Sequence, residues 1–191
     1  MTGRAEAAER VLRFQRENAY SLPLNVEALC RALGLTLRPV TELARESGLG
    51  EEEIFALWGN RDGVLQRCGE RYVLGYNDAR PPRRRRFTIC EEAAHFLLGH
   101  LDDPDFQVFR QSYGEERYRD CEEEARFAAG LLLCPPRWFF RWRDALTEAA
   151  LARRCAVSPA CARRILDDYA RFGALIRGAP SFGFAPVNAE R

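Results

Sequence analysis

"ICEEAAHFLLGH", residues 89–100, decides how the rest of the chain reads. Ile89, Cys90, Ala93, Ala94, Phe96, Leu97 and Leu98 leave it almost no polar face. A helix that is apolar all round belongs in a protein interior. Buried carboxylates are costly there unless they are paired, hydrogen-bonded or metal-bound. Residues four apart share a helical face, so Glu91 and His95 point the same way. Glu92, three residues before His95, leans to the same site. Two readings compete. In the first, this is a metal helix of the His-Glu-x-x-His kind with its first histidine exchanged: Glu91 and His95 are ligands and Glu92 the general base. In the second, the helix begins near Thr88, and Thr88-Ile89-Cys90-Glu91 is a capping box. Glu91 would then reach back to the Thr88 amide and meet the positive end of the helix dipole. The capping reading accounts less well for Glu92 and His95.

With 191 residues, the chain can build one sizeable core or at most two small domains. Its 47% hydrophobic and 30% charged residues are those of a soluble globular protein. A net charge of +1 gives no global pull toward nucleic acid or membrane. Seven cysteines, an odd number with no C-x-x-C pair, argue against a disulfide framework or a zinc ribbon. The first residues, MTGRAEAAERVLRF, are amphipathic without a signal-peptide core, and no run reaches the length of a membrane span. The expectation is a reduced, cytoplasmic protein with neither membrane nor direct nucleic-acid contact.

Around the opening stretch, the pattern predicts a helix over 4–18 and a second over "LNVEALCRALGL", with Gly34 as C-cap. "LTLRPV" alternates like a short strand, and "EEEIFALWG" reads as a helix. "GVLQRCGERYVLGYN" reads as two strands around Cys68-Gly69. "DARPPRRRRF" reads as a turn with a charge run, and a solvated loop is preferred there over an anion site. An irregular stretch from Leu101 to about Gly114 leads into a helix, "EERYRDCEEEARFAAGLLLC", stopped by Pro135-Pro136. "LTEAALARRCAVSPACARRILDDY" could pass for a DNA-reading helix-turn-helix, since residues 137–172 hold eight Arg against four Asp or Glu. Two packed helices are the preferred reading, with Leu151, Val157 and Ile165 as anchors. The simplest parse is one α+β domain over 1–178, mainly helical with a small sheet, and a flexible tail over 179–191.

The second acidic cluster, "CEEEARFAAGLLLCPP" at 121–136, heads another mostly apolar helix. The two segments together resemble the ImmA/IrrE family of metallo-endopeptidases. That family's pattern has a strand ending in Tyr-Asn, an Arg-rich turn, then Arg-Phe-Thr-x-Ala-His-Glu-x-Gly-His. This chain has Tyr76-Asn77, then "RRRRFTICEEAAHFLLGH". The family's later E-x-E-A-N-x-F-A-x-x-L-L-x-P is similar to "EEEARFAAGLLLCP", with Glu122, Glu124, Ala125, Leu132, Leu133 and Pro135 in register. The resemblance spans most of residues 5–170.

The resemblance implies a zincin-like fold and a cytoplasmic regulatory protease, whose partner is commonly a helix-turn-helix repressor of phage, mobile elements or stress responses. By position, it implies Glu91, His95 and Glu122 as metal ligands and Glu92 as catalytic base, with Glu124 the alternative third ligand. Several positions depart from the pattern: Glu91 replaces histidine, Ala94 glycine, Arg126 asparagine or aspartate, and Ala128 phenylalanine. Glutamate can ligate zinc, but oxygen-rich ligation shifts preference toward manganese or iron. The expectation is therefore an intact fold whose metal site is weakened, altered or lost. His100 falls off the shared helical face and reads as a surface residue, though it matches a common position of the resembled family. Cys121 is a candidate soft ligand, and Tyr113 and Tyr118 are candidate oxyanion donors. Two functions stay open: a metal-dependent endopeptidase acting on a regulatory protein, and an inactive pseudo-peptidase that binds such a protein.

Overall fold

The computed structural model describes residues 3–18, 20–102 and 116–183. Its architecture is α+β and mainly helical, as the pattern predicts. Helix α1 (Gly3–Glu17) buries Ala7, Ala8, Val11, Leu12 and Phe14. Helix α2 (Val26–Ala32) is capped by the Asn25 side chain, which accepts from the Ala28 amide at 3.0 Å. Strand β1 (Leu35–Pro39) follows, then two short helices, α3 (Val40–Ser47) and α4 (Glu51–Trp58). These helices close a small satellite core of Val40, Ile54, Phe55, Trp58 and Val64. Strands β2 (Gly63–Cys68) and β3 (Arg71–Tyr76) form a hairpin. The sheet order is β1-β3-β2, with β1 parallel and β2 antiparallel to the central β3. Leu65 faces Leu74 across the hairpin, and both are fully buried.

Helix α5 runs from Pro82 to Leu97 and carries the opening stretch. It starts one and a half turns earlier than the sequence suggested. Pro82 is the first helical residue, where a missing N–H costs nothing and the fixed φ suits the helix. Arg83 to Arg86 therefore form the first turns of α5 and are not a loop. Four positive charges at a helix N-terminus oppose its dipole. Nearby oxygens offset this. Asp62 sits between Arg80 at 2.8 Å and Arg84 at 2.6 Å, and Arg85 donates to the Asp78 carbonyl at 3.0 Å. Thr88 is no cap: it is buried in mid-helix, where its methyl presses on β2. A Cβ placed on Gly63 would lie 2.6 Å from that methyl, so glycine is what lets α5 lie this close to the sheet.

A 3₁₀ turn (His100–Asp102) follows α5. Helix α6 (Glu116–Leu133) then packs along α5, with Leu131, Leu132 and Leu133 all buried. Fully burying such side chains stabilises the fold by about 2 kcal/mol each. Helix α7 (Pro136–Trp142) begins at the predicted proline pair. Helices α8 (Glu148–Arg154) and α9 (Pro159–Gly178) pack together and bury Leu151, Ala152, Ala162 and Ile165. Five of the seven free cysteines are buried, consistent with packing roles.

The tail expected to be loose from residue 179 is anchored as far as residue 183. Ser181 donates from its amide and hydroxyl to Glu9, at 2.8 and 2.6 Å. Arg137 donates to the Ser181 and Phe182 carbonyls. Residues 184–191 lie outside the described residues, as does most of the predicted irregular stretch, including Tyr113. Among the described residues, no helix is long and apolar enough to cross a membrane.

Candidate functional site

Helix α5 presents Glu91 and His95 one turn apart, and α6 presents Glu122 and Arg126 one turn apart. The packing of the two helices brings Glu91, Glu122 and Arg126 to one cleft of about 180 Å³, lined also by Asp62, Arg84, Thr88, Glu92 and Tyr118, and sets His95 behind Glu122. The three sequence-derived ligands and the base position thus come to one place. What holds them together is a cation that belongs to the chain. Arg126 donates through Nε to Glu91 at 2.9 Å and through an Nη to Glu122 at 2.9 Å. Its guanidinium spans the two carboxylates that a metal would have to bridge.

Glu122 also lies 3.3 Å from His95 Nε2. Burial alone would raise its pKa. The His95 hydrogen bond and charge, the Arg126 charge and a hydrogen bond from Tyr118 outweigh that and hold it at about 2. Glu91 goes the other way: burial raises its pKa, and Glu122 and Glu92 add to the rise against the opposing Arg126. Glu91 makes no capping contact of the kind expected, because the helix start is far away at Pro82.

Glu92, the base position, is buried and accepts a hydrogen bond from the Leu65 amide at 2.8 Å. Leu65 lies on β2, which is an edge strand of the sheet among the described residues. One oxygen of Glu92 is thereby committed to the sheet.

Beneath this lies a buried chain that the sequence reading missed. His100 is only 6% exposed, not a surface residue. Counting along an unbroken helix put it off the shared face, but α5 ends at Leu97. Gly99, at φ +73°, then turns the chain back. His95 Nδ1 stands 2.9 Å from His100 Nδ1, and His100 Nε2 stands 3.3 Å from Glu124. Glu124 also accepts from the Gly3 amide at 2.8 Å. The Glu122 to Glu124 chain is fully hydrogen-bonded when the two rings share three protons, one on each outer Nε2 and one between the Nδ1 atoms. The pair then carries a single positive charge between two carboxylates. Burial and the His95 charge accordingly hold the His100 pKa down at about 4. Glu122 therefore faces the cleft, whereas Glu124 supports His100.

The donor set does not fit a metal ion as it stands. A divalent ion between Glu91, His95 and Glu122 would sit against the Arg126 guanidinium. It would also need the His95 Nε2 lone pair, and that nitrogen here faces Glu122 at 3.3 Å. Among the described residues, no group of three His, Cys, Asp or Glu side chains is arranged to hold a metal. Cys121 is buried and joins no such group.

A mainly helical α+β scaffold that sets an E-E-x-x-H helix against a second acidic helix defines a metallopeptidase-like class. A model of the IrrE N-terminal-like domain, peptidase family M78, matches residues 48–165, and the chain belongs to that family. Its members are typically metal-dependent. No curated protein matches the chain.

Proposed function

We propose that this chain is a pseudo-peptidase: a member of its family that binds a regulatory protein, such as a helix-turn-helix repressor, without hydrolysing it. The observation that carries this reading is the Arg126 guanidinium bridging Glu91 and Glu122. Two departures from the family pattern, one on each helix, compensate each other. The exchange at 91 adds a negative charge and the exchange at 126 adds a positive one. The cleft keeps its electrostatic closure while the metal's place is taken by a side chain.

A second reading has one observation in its favour: Glu92 and Glu122 still line the cleft, and His95 stands 3.3 Å from Glu122. A peptidase using zinc, or manganese or iron on an oxygen-rich site, would need those three. Metal analysis of the purified protein, with a peptidase assay, separates the two readings. The expected result is substoichiometric metal and no cleavage in the wild type. The Glu91→His/Arg126→Asn variant should take up stoichiometric zinc. A wild-type protein that holds stoichiometric metal and cleaves a protein substrate would overturn the proposal.

A further inference from the structure

Beside the cleft lies a larger cavity of about 570 Å³, within the range that small-molecule sites occupy. It is walled by the first turns of α5 and α9. Arg83, Arg84, Arg126 and Arg164 line it, and among the described residues Glu91 is the one acidic side chain that does so. Apart from Glu91, which pairs with Arg126, the acidic partners of the arginines stand elsewhere. Asp62 (with Arg84) and Glu122 (with Arg126) line the smaller cleft, and Asp168 is 3.9 Å from Arg164 without lining the cavity. Arg83 has no ion pair or hydrogen bond from its side chain among the described residues.

The backbone adds to this. Pro81 and Ser158 cap helices of 16 and 20 residues at the cavity's border. Ser158 takes the Cys161 amide, and Pro159 has no amide, which leaves the Ala160 N–H of the first turn without an acceptor among the described residues. The Arg84 and Arg85 amides donate to the Pro81 carbonyl, and the Arg83 N–H likewise has no acceptor among the described residues. Unsatisfied amides at a helix start favour an anion. Phe87, Pro81 and Ala160 supply apolar wall. Cys161 also borders the cavity, but burial pushes its thiol up to about 12, so it is no nucleophile there.

We infer that this cavity binds a small organic phosphate, its oxyanion held by Arg83, Arg84 and Arg164 and its apolar body laid against Phe87 and Pro81. Forked guanidinium donors suit the several oxygens of a phosphate group, and converging arginines suit a multiply charged one. The arginine run is then neither a loop nor a merely solvated face. The inference is independent of whether the adjoining cleft cuts peptides.

Calorimetric titration of the full chain at constant ionic strength tests it, with pyrophosphate, ADP and an acidic hexapeptide of Asp and Glu as probes. Saturable binding of pyrophosphate is expected, tighter for ADP, whose ring can use the apolar wall. The Arg83→Ala/Arg164→Ala variant should bind both at least about tenfold more weakly, while Arg83→Lys/Arg164→Lys keeps most of the affinity. Both arginines are exposed, so circular dichroism should show an unchanged fold. If the double variant fails to fold, Arg164→Glu alone gives the same reading. Binding no stronger than that of chloride, or equal in wild type and variant, overturns the inference. Binding of the acidic peptide alone overturns it too, in favour of a peptide-docking surface.

Discussion

The cleft between α5 and α6 has a mouth and a floor, and the two follow different rules. At the mouth, Arg126 is 38% exposed and joins two carboxylates that are each 16% exposed. At the floor, the His95 and His100 side chains are each 3% exposed and run on to the Glu124 side chain at 8%. The family pattern survives at the floor and is rewritten at the mouth. Burial explains the difference. A charge exchanged at the floor would be stranded in a low dielectric and cost several kcal/mol. At the mouth, water tolerates an exchange long enough for a second one to compensate it.

The largest expected effect breaks the floor. His100→Leu takes the ring from both His95 Nδ1 and the buried Glu124 carboxylate. It should destabilise the fold by about 3 kcal/mol in urea unfolding. Next comes the mouth. Arg126→Ala leaves Glu91 and Glu122 facing each other, and should cost on the order of 2 kcal/mol, between the values for exposed and buried pairs. A double-mutant cycle with Glu91→Ala should show coupling of about 1 kcal/mol. A cost for Arg126→Ala as small as that of a surface substitution would erase the distinction drawn here.

Acid provides a third probe, read as a slope of stability against pH. His100 titrates near 6.5 in an unfolded chain and at about 4 when folded. The unfolded state therefore binds more protons in that window, and stability should fall as pH drops from 6.5 to 4. Glu91 acts in the opposite sense. Its folded pKa lies above the ordinary 4.5, so its contribution is present below 4.5 and lost as pH rises through the folded value. In His100→Gln the acid-driven loss across the window should largely disappear from pH-dependent urea midpoints. The smallest effect calibrates the series. Arg61 and Glu52 form an ion pair 60% and 70% exposed, and Arg61→Ala should cost less than about 0.5 kcal/mol.

Much of the scaffold could be read from local signals. Gly34 and Gly59 end α2 and α4 at φ near +70°, as C-terminal glycines do. The hairpin followed from two apolar runs around Cys68-Gly69. The start of α5 was misread because proline and arginine both look like loop residues. Proline at the first helical position is nonetheless a start signal, and the arginines are stabilised by Asp62 and Asp78, which are distant in sequence. Helix α3 went unread because its polar composition hides the one stripe of Val40, Leu43 and Ala44 that meets the satellite core. The ligand positions came from motif order, and Arg126 stood out only as a departure. Its pairing with Glu122 was within reach of the i, i+4 rule. Its pairing with Glu91, 35 residues away, depended on how two helices pack, which no local pattern encodes.

The Arg126 bridge has a consequence for supply. A metal ion arrives from solution, so a metal-dependent cleft is filled or emptied as free metal rises and falls. A guanidinium carried by the chain is made with it and cannot be withdrawn. The cleft is then set once, at folding, and stays set through metal starvation. Its melting temperature should be the same with and without a strong chelator.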